Sequence, residues 1–237
     1  MRFKNPQGDR AAQVVIVTGG SRGIGLATAR AFLEQGARIG ICGFDPERLL
    51  EARKALEGLG EVETVVADVR FIGQIQAFVE RVIVRFGTVD VLVNNAGRAS
   101  VGRFAEEEPG SIDAVIDVNV KGVLYATRVV LPHMLRQGRG VIINVSSGAG
   151  LTGFPEIVTY CASKFAVVGF TEALAQELRG TGVQVYGLCP GRVATDMQQQ
   201  YSGRKIGMPP ERVAEVILQL AGRCPPVASG RCMPLPG

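Results

Sequence analysis

Residues 14–25 constrain the fold more than any other stretch. Val14-Val15-Ile16-Val17 is a continuous β-branched run, the pattern of a strand buried on both faces rather than one with a wet side. It leads directly into Thr18-Gly19-Gly20-Ser21-Arg22-Gly23-Ile24-Gly25 and then into a helical pattern reaching about Gln35. A strand, a glycine-rich turn and a helix in that order can cradle a phosphate. Glycines let backbone N–H groups approach a pyrophosphate, and the helix N-terminus adds partial positive charge. The blander alternative is a βα turn that merely needs glycine dihedrals. The G-x-x-x-G-x-G spacing of Gly19, Gly23 and Gly25 favours a bound nucleotide.

The same alternation continues to the end of the chain. Strand patterns at residues 38–42, 62–67, 89–93, 140–145 and 183–188 precede a short one at 230–233. Between them lie helical patterns at 46–59, 74–86, 111–136 (with Ser111 as N-cap), one through Tyr160 to about 179, and 210–220. Strands separated by helices at this spacing predict an α/β protein: a doubly wound parallel sheet of about seven strands, helices on both faces. No linker interrupts the 237 residues, so a single domain over 1–237 is expected. Residues 1–11 read as a polar extension, and 197–210 as a short lid. In such sheets ligands bind beyond the strand carboxyl ends. The glycine and polar clusters at 18–25, 94–97, 146–147 and 189–195 all fall there.

Composition excludes several functions. At 46% hydrophobic and 20% charged residues the chain reads as globular rather than disordered. The net charge of +4 comes from scattered Lys and Arg, with no basic stripe for nucleic acid. Five cysteines form no C-x-x-C pair, and the one histidine, His133, offers no metal cluster, so no metal is expected. No apolar run approaches the ~18 residues of a membrane span. The polar N-terminus lacks the apolar core of a secretory signal, which makes the expected location cytoplasmic.

Tyr160 and Lys164, four residues apart, share a helix face. A free tyrosine ionises near pH ~10, and an ammonium beside it favours the phenolate, pulling the pKa towards the working range. Alone this pair is a common coincidence. Its place among the strand-end clusters lifts it above chance.

Over residues 12–197 the chain resembles the short-chain dehydrogenase/reductase family. Thr18-Gly19, Gly23 and Gly25 match its TGxxxGxG loop, Asp68-Val69 its adenine-contacting turn, and Asn94-Asn95-Ala96-Gly97 its NNAG segment. Asn119 matches the helix asparagine, Ser147 stands at the family's spacing before Tyr160, and Tyr160 with Lys164 matches YxxxK. Pro190-Gly191 and Thr195 match the stretch lining the nicotinamide. The resemblance implies a Rossmann fold and an oxidoreductase moving hydride between a nicotinamide cofactor and a carbonyl or secondary alcohol. It assigns catalysis to Asn119, Ser147, Tyr160 and Lys164. Tyr160 gives its proton to the developing alkoxide and Ser147 hydrogen-bonds that oxygen. Lys164 clamps the ribose and depresses the Tyr160 pKa, and Asn119 positions a relay water. Cofactor contacts are assigned to Thr18, Gly19, Ser21, Arg22, Gly23, Ile24, Gly25, Phe44, Asp68, Val69, Asn95, Ala96, Gly97, Pro190, Gly191, Val193 and Thr195, with Tyr160 and Lys164. Asn94 and Ser146 read as structural.

The resemblance implies NADP(H) in preference to NAD(H). An acid at the end of the second strand would accept from the ribose 2′-OH and repel a 2′-phosphate. The family's position for it is Gly43, and the next, arginine in many NADP-using members, is Phe44. Asp45 is expected to serve the following helix start instead. Arg22 matches a basic residue that members use on the 2′-phosphate. Among substrates, a 3-oxoacyl thioester is the best reading, with an acyl carrier protein meeting Arg103 or Arg128. A sugar, polyol or general ketone is the alternative, and a non-catalytic cofactor-binding regulator the alternative of another class. The pocket candidates Arg98, Ala99, Ser100, Gly148, Leu151, Phe154 and Pro155 carry no diagnostic polar set. Family habit implies a homodimer or homotetramer.

Overall fold

The structure is a computed structural model describing residues 12–222 and 224–236; the expected extension over 1–11 lies outside them. One sheet organises these residues. Its strands are β1 (Val14–Thr18), β2 (Arg38–Gly43), β3 (Val62–Val66), β4 (Val91–Asn94), β5 (Gly140–Val145), β6 (Val183–Pro190) and β7 (Cys232–Leu235). They lie in the order β3-β2-β1-β4-β5-β6-β7, every neighbouring pair parallel. The helices are α1 (Gly23–Glu34), α2 (Pro46–Ala55), α3 (Ile72–Phe86), α4 (Pro109–Ile116), α5 (Gly122–Gln137), α6 (Val158–Glu177), α7 (Asp196–Ser202) and α8 (Pro210–Leu220).

The period-two geometry of a strand divides the core in two. Val15, Val17, Ile39, Ile41 and Leu188 face one layer, packed with Phe32 and Leu33 of α1 and Val213 and Ile217 of α8. Val14, Ile16, Leu92, Ile142 and Val185 face the other, against Phe78 and Val82 of α3, Val130 of α5 and Leu174 of α6. Burial on both faces is why these strands read as unbroken apolar runs. The order reverses between β1 and β4, and the crevice there carries the glycine loop.

Three expectations need correction. The helix predicted from Ser111 opens at Pro109, whose missing N–H costs nothing in a first turn. Ser111 is not a cap; its backbone N–H donates to the Glu108 carbonyl at 2.8 Å. A π-helical turn, Asp117–Lys121, then separates α4 from α5. The last strand is shifted to Cys232–Leu235 and includes Pro234. Gly187 donates to the Arg231 carbonyl and Gly191 to the Leu235 carbonyl. By strand alternation the nitrogen of Pro234 therefore faces away from β6, where an edge strand needs no donor. The lid segment, finally, is not a plain loop. It contains α7, capped by Thr195, whose hydroxyl accepts from Gln198 N at 3.3 Å. Its base is pinned by a bridge between Val193 and Met208.

Candidate active site

The glycine loop and the end of β4 are stitched together by Thr18 and Asn95. The Thr18 hydroxyl accepts from Asn95 N and Ala96 N at 3.1 and 3.2 Å, while Asn95 Nδ2 donates to the carbonyls of Thr18 and Gly19. The approach is so close that Gly19, at φ +65°, could not carry a side chain: its Cβ would lie 2.8 Å from Ala96 Cα. A Cβ on Gly25 would collide with the Gly19 carbonyl oxygen. Ser21 folds over the end of β2, its hydroxyl 3.2 Å from where a Gly43 Cβ would stand. At the other wall, Thr195 comes within 3.2 Å of a Cβ built on Gly23, and Met197 within 3.7 Å of one built on Gly97. Pro190 and Gly191 border Gly148, and the Leu235 carbonyl holds Gly191 N at 2.8 Å. Four strand-end clusters far apart in sequence thus surround one crevice.

Helix α6 brings Tyr160 and Lys164 to that crevice and is fixed at several points. Asn144 of β5 donates to Thr171 at 2.9 Å and accepts from Asn94 at 2.8 Å. The Ser146 hydroxyl donates to the Lys164 carbonyl at 2.9 Å, and Thr159 donates to Glu107 at 2.6 Å. Asn94 and Ser146 are both buried and hydrogen-bonded to neighbouring elements. Lys164 is buried, its Nζ donating to the Val145 carbonyl at 3.0 Å and lying 5.6 Å from the Tyr160 ring centre. The Ser147 hydroxyl accepts from Ala149 N at 3.1 Å, and its proximity favours the ionised form of the Tyr160 phenol.

Burial pushes the Lys164 ammonium down to about 8. It also pushes the Tyr160 phenol above its ordinary value, with the Ser147 hydrogen bond offsetting part of the rise. The expected depression of Tyr160 by Lys164 is therefore absent here. Desolvation dominates, and the ammonium is spent on a backbone carbonyl rather than on the phenol oxygen.

Asn119 is held by its neighbours. It is fully buried in the π-helical turn, and both amide N–H groups are used: Nδ2 donates to the Arg98 carbonyl at 2.8 Å and to Ser163 at 2.9 Å. Its Oδ1 accepts from Arg98 N at 2.8 Å. With both donors committed, the side chain holds the β4 exit against α6 and has no N–H left for a water.

The residues from 13 to 205 match the family model described as short chain dehydrogenase. The 3-oxoacyl-acyl-carrier-protein reductase of Thermotoga maritima is 38% identical over 221 residues, covering 88% of this chain and 90% of that protein. This chain belongs to the short-chain dehydrogenase/reductase family. It is an oxidoreductase by that membership. Among solved structures, a variant of actinorhodin polyketide ketoreductase with NADPH superposes with a TM-score of 0.90 at 35% identity, covering 95% of this chain and 96% of that one. The 3-ketoacyl-(acyl-carrier-protein) reductase from Brucella melitensis complexed with NADH gives 0.89 at 28%, covering 95% and 97%.

The residues present fit the nicotinamide dinucleotide that family membership implies. Gly19 and Gly25 make a turn too tight for any side chain, Gly23 faces Thr195 across it, and the turn leads into the N-terminus of α1, the arrangement a pyrophosphate requires. Not every expected cofactor contact points that way. Ile24, in the first turn of α1, packs partly buried against the core, and the buried Val69 side chain sits against Gly122 at the start of α5. The Asp68 carboxylate is paired with Arg70 at 2.6 Å. Burial would raise it, but Arg70 wins and holds it below the usual carboxylate range. Phe44 stands 71% exposed at the end of β2, and Asp45 caps α2 as expected, accepting from Glu47 N and Arg48 N. Arg22 is turned onto Asp196 at 2.9 Å. Arg48, Asp196 and Lys205 escaped the sequence reading, although Arg48 lies in the helical turn beside the end of β2, where a cation could have been sought. Among the described residues no cluster of His, Cys, Asp and Glu could hold a metal, and no helix is long and apolar enough to cross a membrane.

Proposed function

We propose that the protein is an NADPH-dependent reductase of 3-oxoacyl thioesters. The observation that carries the reading is that buried Lys164, 5.6 Å from the Tyr160 ring, and the Ser147 turn lie at the strand carboxyl ends that also carry the glycine loop. When bound, the nicotinamide supplies a hydride to the carbonyl carbon. Ser147 donates a hydrogen bond to the carbonyl oxygen as negative charge develops on it. Tyr160, kept protonated by its burial, gives its proton to that oxygen. Lys164, now on the Val145 carbonyl, would hold the ribose hydroxyls of the cofactor and would offset the charge left on the phenol when its proton leaves. Asn119 acts as a positioning residue, fixing the backbone of Arg98 and the α6 turn that carries Ser163.

Beyond the Ser147 turn, Leu151 and Phe154 are exposed at 41% and 44%. That apolar rim suits an acyl chain better than a polyol. The likeness to a 3-oxoacyl-carrier-protein reductase supports the same substrate class, and the likeness to a ketoreductase with NADPH supports the cofactor.

The test is a turnover panel of acetoacetyl thioesters, cyclic ketones and sugars, followed by NADPH and NADH absorbance. Thioesters should give the highest kcat/KM, with NADPH preferred. Tyr160→Phe should lose about 10³-fold in kcat, in the range for a removed general acid, with NADPH affinity nearly intact. Turnover of sugars alone would overturn the substrate class, and full activity in Tyr160→Phe would overturn the proton donor.

A further inference from the structure

Three cations converge on a single carboxylate beside the end of β2. Arg22 Nη1, entering from the glycine loop, lies 2.9 Å from Asp196 Oδ2, and Arg48 Nη1, from the first turn of α2, lies 3.5 Å from the same oxygen. Lys205 Nζ holds the other oxygen at 2.7 Å. A second carboxylate, Asp45, balances part of this charge, 3.3 Å from Arg48 Nε, but it is committed to capping α2. Pairs this exposed contribute little to stability, so holding the fold together does not account for the convergence.

Position gives a better account. The end of β2 is where a bound dinucleotide presents its adenosine ribose 2′ position, read by an acid for a hydroxyl or by an arginine for a phosphate. The residues there are Gly43 and exposed Phe44, neither of which makes an ionic contact. Of the charged groups beside it, Asp45 is taken up by the α2 cap and Lys205 holds the other Asp196 oxygen, while the two arginines arrive from separate elements and already meet on one oxygen.

We propose that Asp196 is an internal stand-in for the ribose 2′-phosphate, holding Arg22 and Arg48 in place until the phosphate displaces it. Asp196 and Arg48 are then specificity-determining residues alongside Arg22. This inference rests on the nicotinamide dinucleotide reading of the crevice. Lys205 and Arg22 hold the Asp196 carboxyl below its ordinary range, so it is ionised at neutral pH and meets an arriving dianion as a like charge. Like charges force it to leave. Asp196 is the first residue of α7, and its partner Lys205 lies in the same segment above the Val193–Met208 bridge. Displacement therefore frees the lid from the glycine loop without breaking the pair inside the lid. Cofactor affinity and lid position become coupled, and by reciprocity a lid held down weakens the 2′-phosphate interaction.

Calorimetric titration with NADPH, NADH, 2′-AMP and 5′-AMP tests this on the wild type, Asp196→Asn and Arg48→Ala, each verified as folded by its melting curve. Asp196→Asn should tighten NADPH and 2′-AMP by about tenfold while NADH and 5′-AMP change less than about twofold; Arg48→Ala should weaken the phosphorylated pair by about tenfold, with the same controls flat. An unchanged NADPH-to-NADH ratio in Asp196→Asn, or equal changes for both cofactors, would overturn the inference and leave Asp196 as a lid contact only. A wild type that binds NADH more tightly would defeat the NADPH assignment alone. The displacement idea would then be judged by whether Asp196→Asn moves the ratio towards NADPH.

Discussion

Lys164 is 5% exposed, and its Nζ has one hydrogen-bond partner, the neutral carbonyl of Val145. A buried ammonium with no carboxylate beside it costs the folded state free energy, and its fall from 10.5 to about 8 is that cost seen as a pKa. The sign follows from proton counting. Below about pH 8 both folded and unfolded chains carry the charge, and the whole penalty applies. Between 8 and 10.5 the unfolded chain binds more protons, so stability from this group rises with pH. Lys164→Met should therefore melt a few degrees above the wild type at pH 7, roughly the effect of removing a penalised buried charge. That advantage should shrink as melts are repeated up to about pH 10, while reductase activity is lost throughout. A variant less stable than wild type at pH 7 would mean that the packing of the lysine stem outweighs the buried charge.

Elements carry these residues, and one local irregularity decides how they meet. The π-helical turn Asp117–Lys121 carries buried Asn119, which ties the β4 exit to α6 through three hydrogen bonds. Asn119→Ala would leave Arg98 N and C=O without these partners. It should destabilise the protein by about 2–4 kcal/mol in urea unfolding and lower kcat more than it raises KM for the cofactor. A loss confined to stability would reduce Asn119 to a fold residue. The edge strand β7 plays a comparable part, since the Leu235 carbonyl holds Gly191, one of the residues walling the crevice. Its one proline, Pro234, is tolerated because the outer side of β7 pairs with no strand among the described residues.

At the scale of the molecule, a sheet covered by helices on both faces still leaves apolar groups in solvent. Leu124 and Leu135 on α5 and Phe165 on α6 are 37%, 42% and 45% exposed. We propose that these three side chains contribute to an association face between copies. Light scattering should therefore report two or four copies of the 25.2 kDa chain. Phe165→Glu should move the population to smaller species, and a monodisperse monomer in the wild type would refute the association.

The sequence determined whatever depends on neighbours within a few positions. The apolar run 14–17 specified a doubly buried strand, the glycine spacing specified a close-approach turn, and the four-residue interval placed Tyr160 and Lys164 on one face. Alternation of such segments was enough for the parallel doubly wound sheet. It was not enough for Pro109 overriding Ser111 as the helix start, nor for α7 inside a polar stretch. Only the tertiary structure decided what each polar group faces. Arg22 and Asp196 are 174 positions apart, and Arg48 and Asp196 148, so no pattern along the chain announces that they share an oxygen. For the same reason the spacing pointed the Tyr160 pKa downwards, whereas burial pushes it up. Spacing puts an ammonium near a phenol, but burial and the carbonyl of Val145 determine whether its charge reaches the oxygen. Desolvation and long-range hydrogen bonding are properties of the packed fold, and no single segment encodes them.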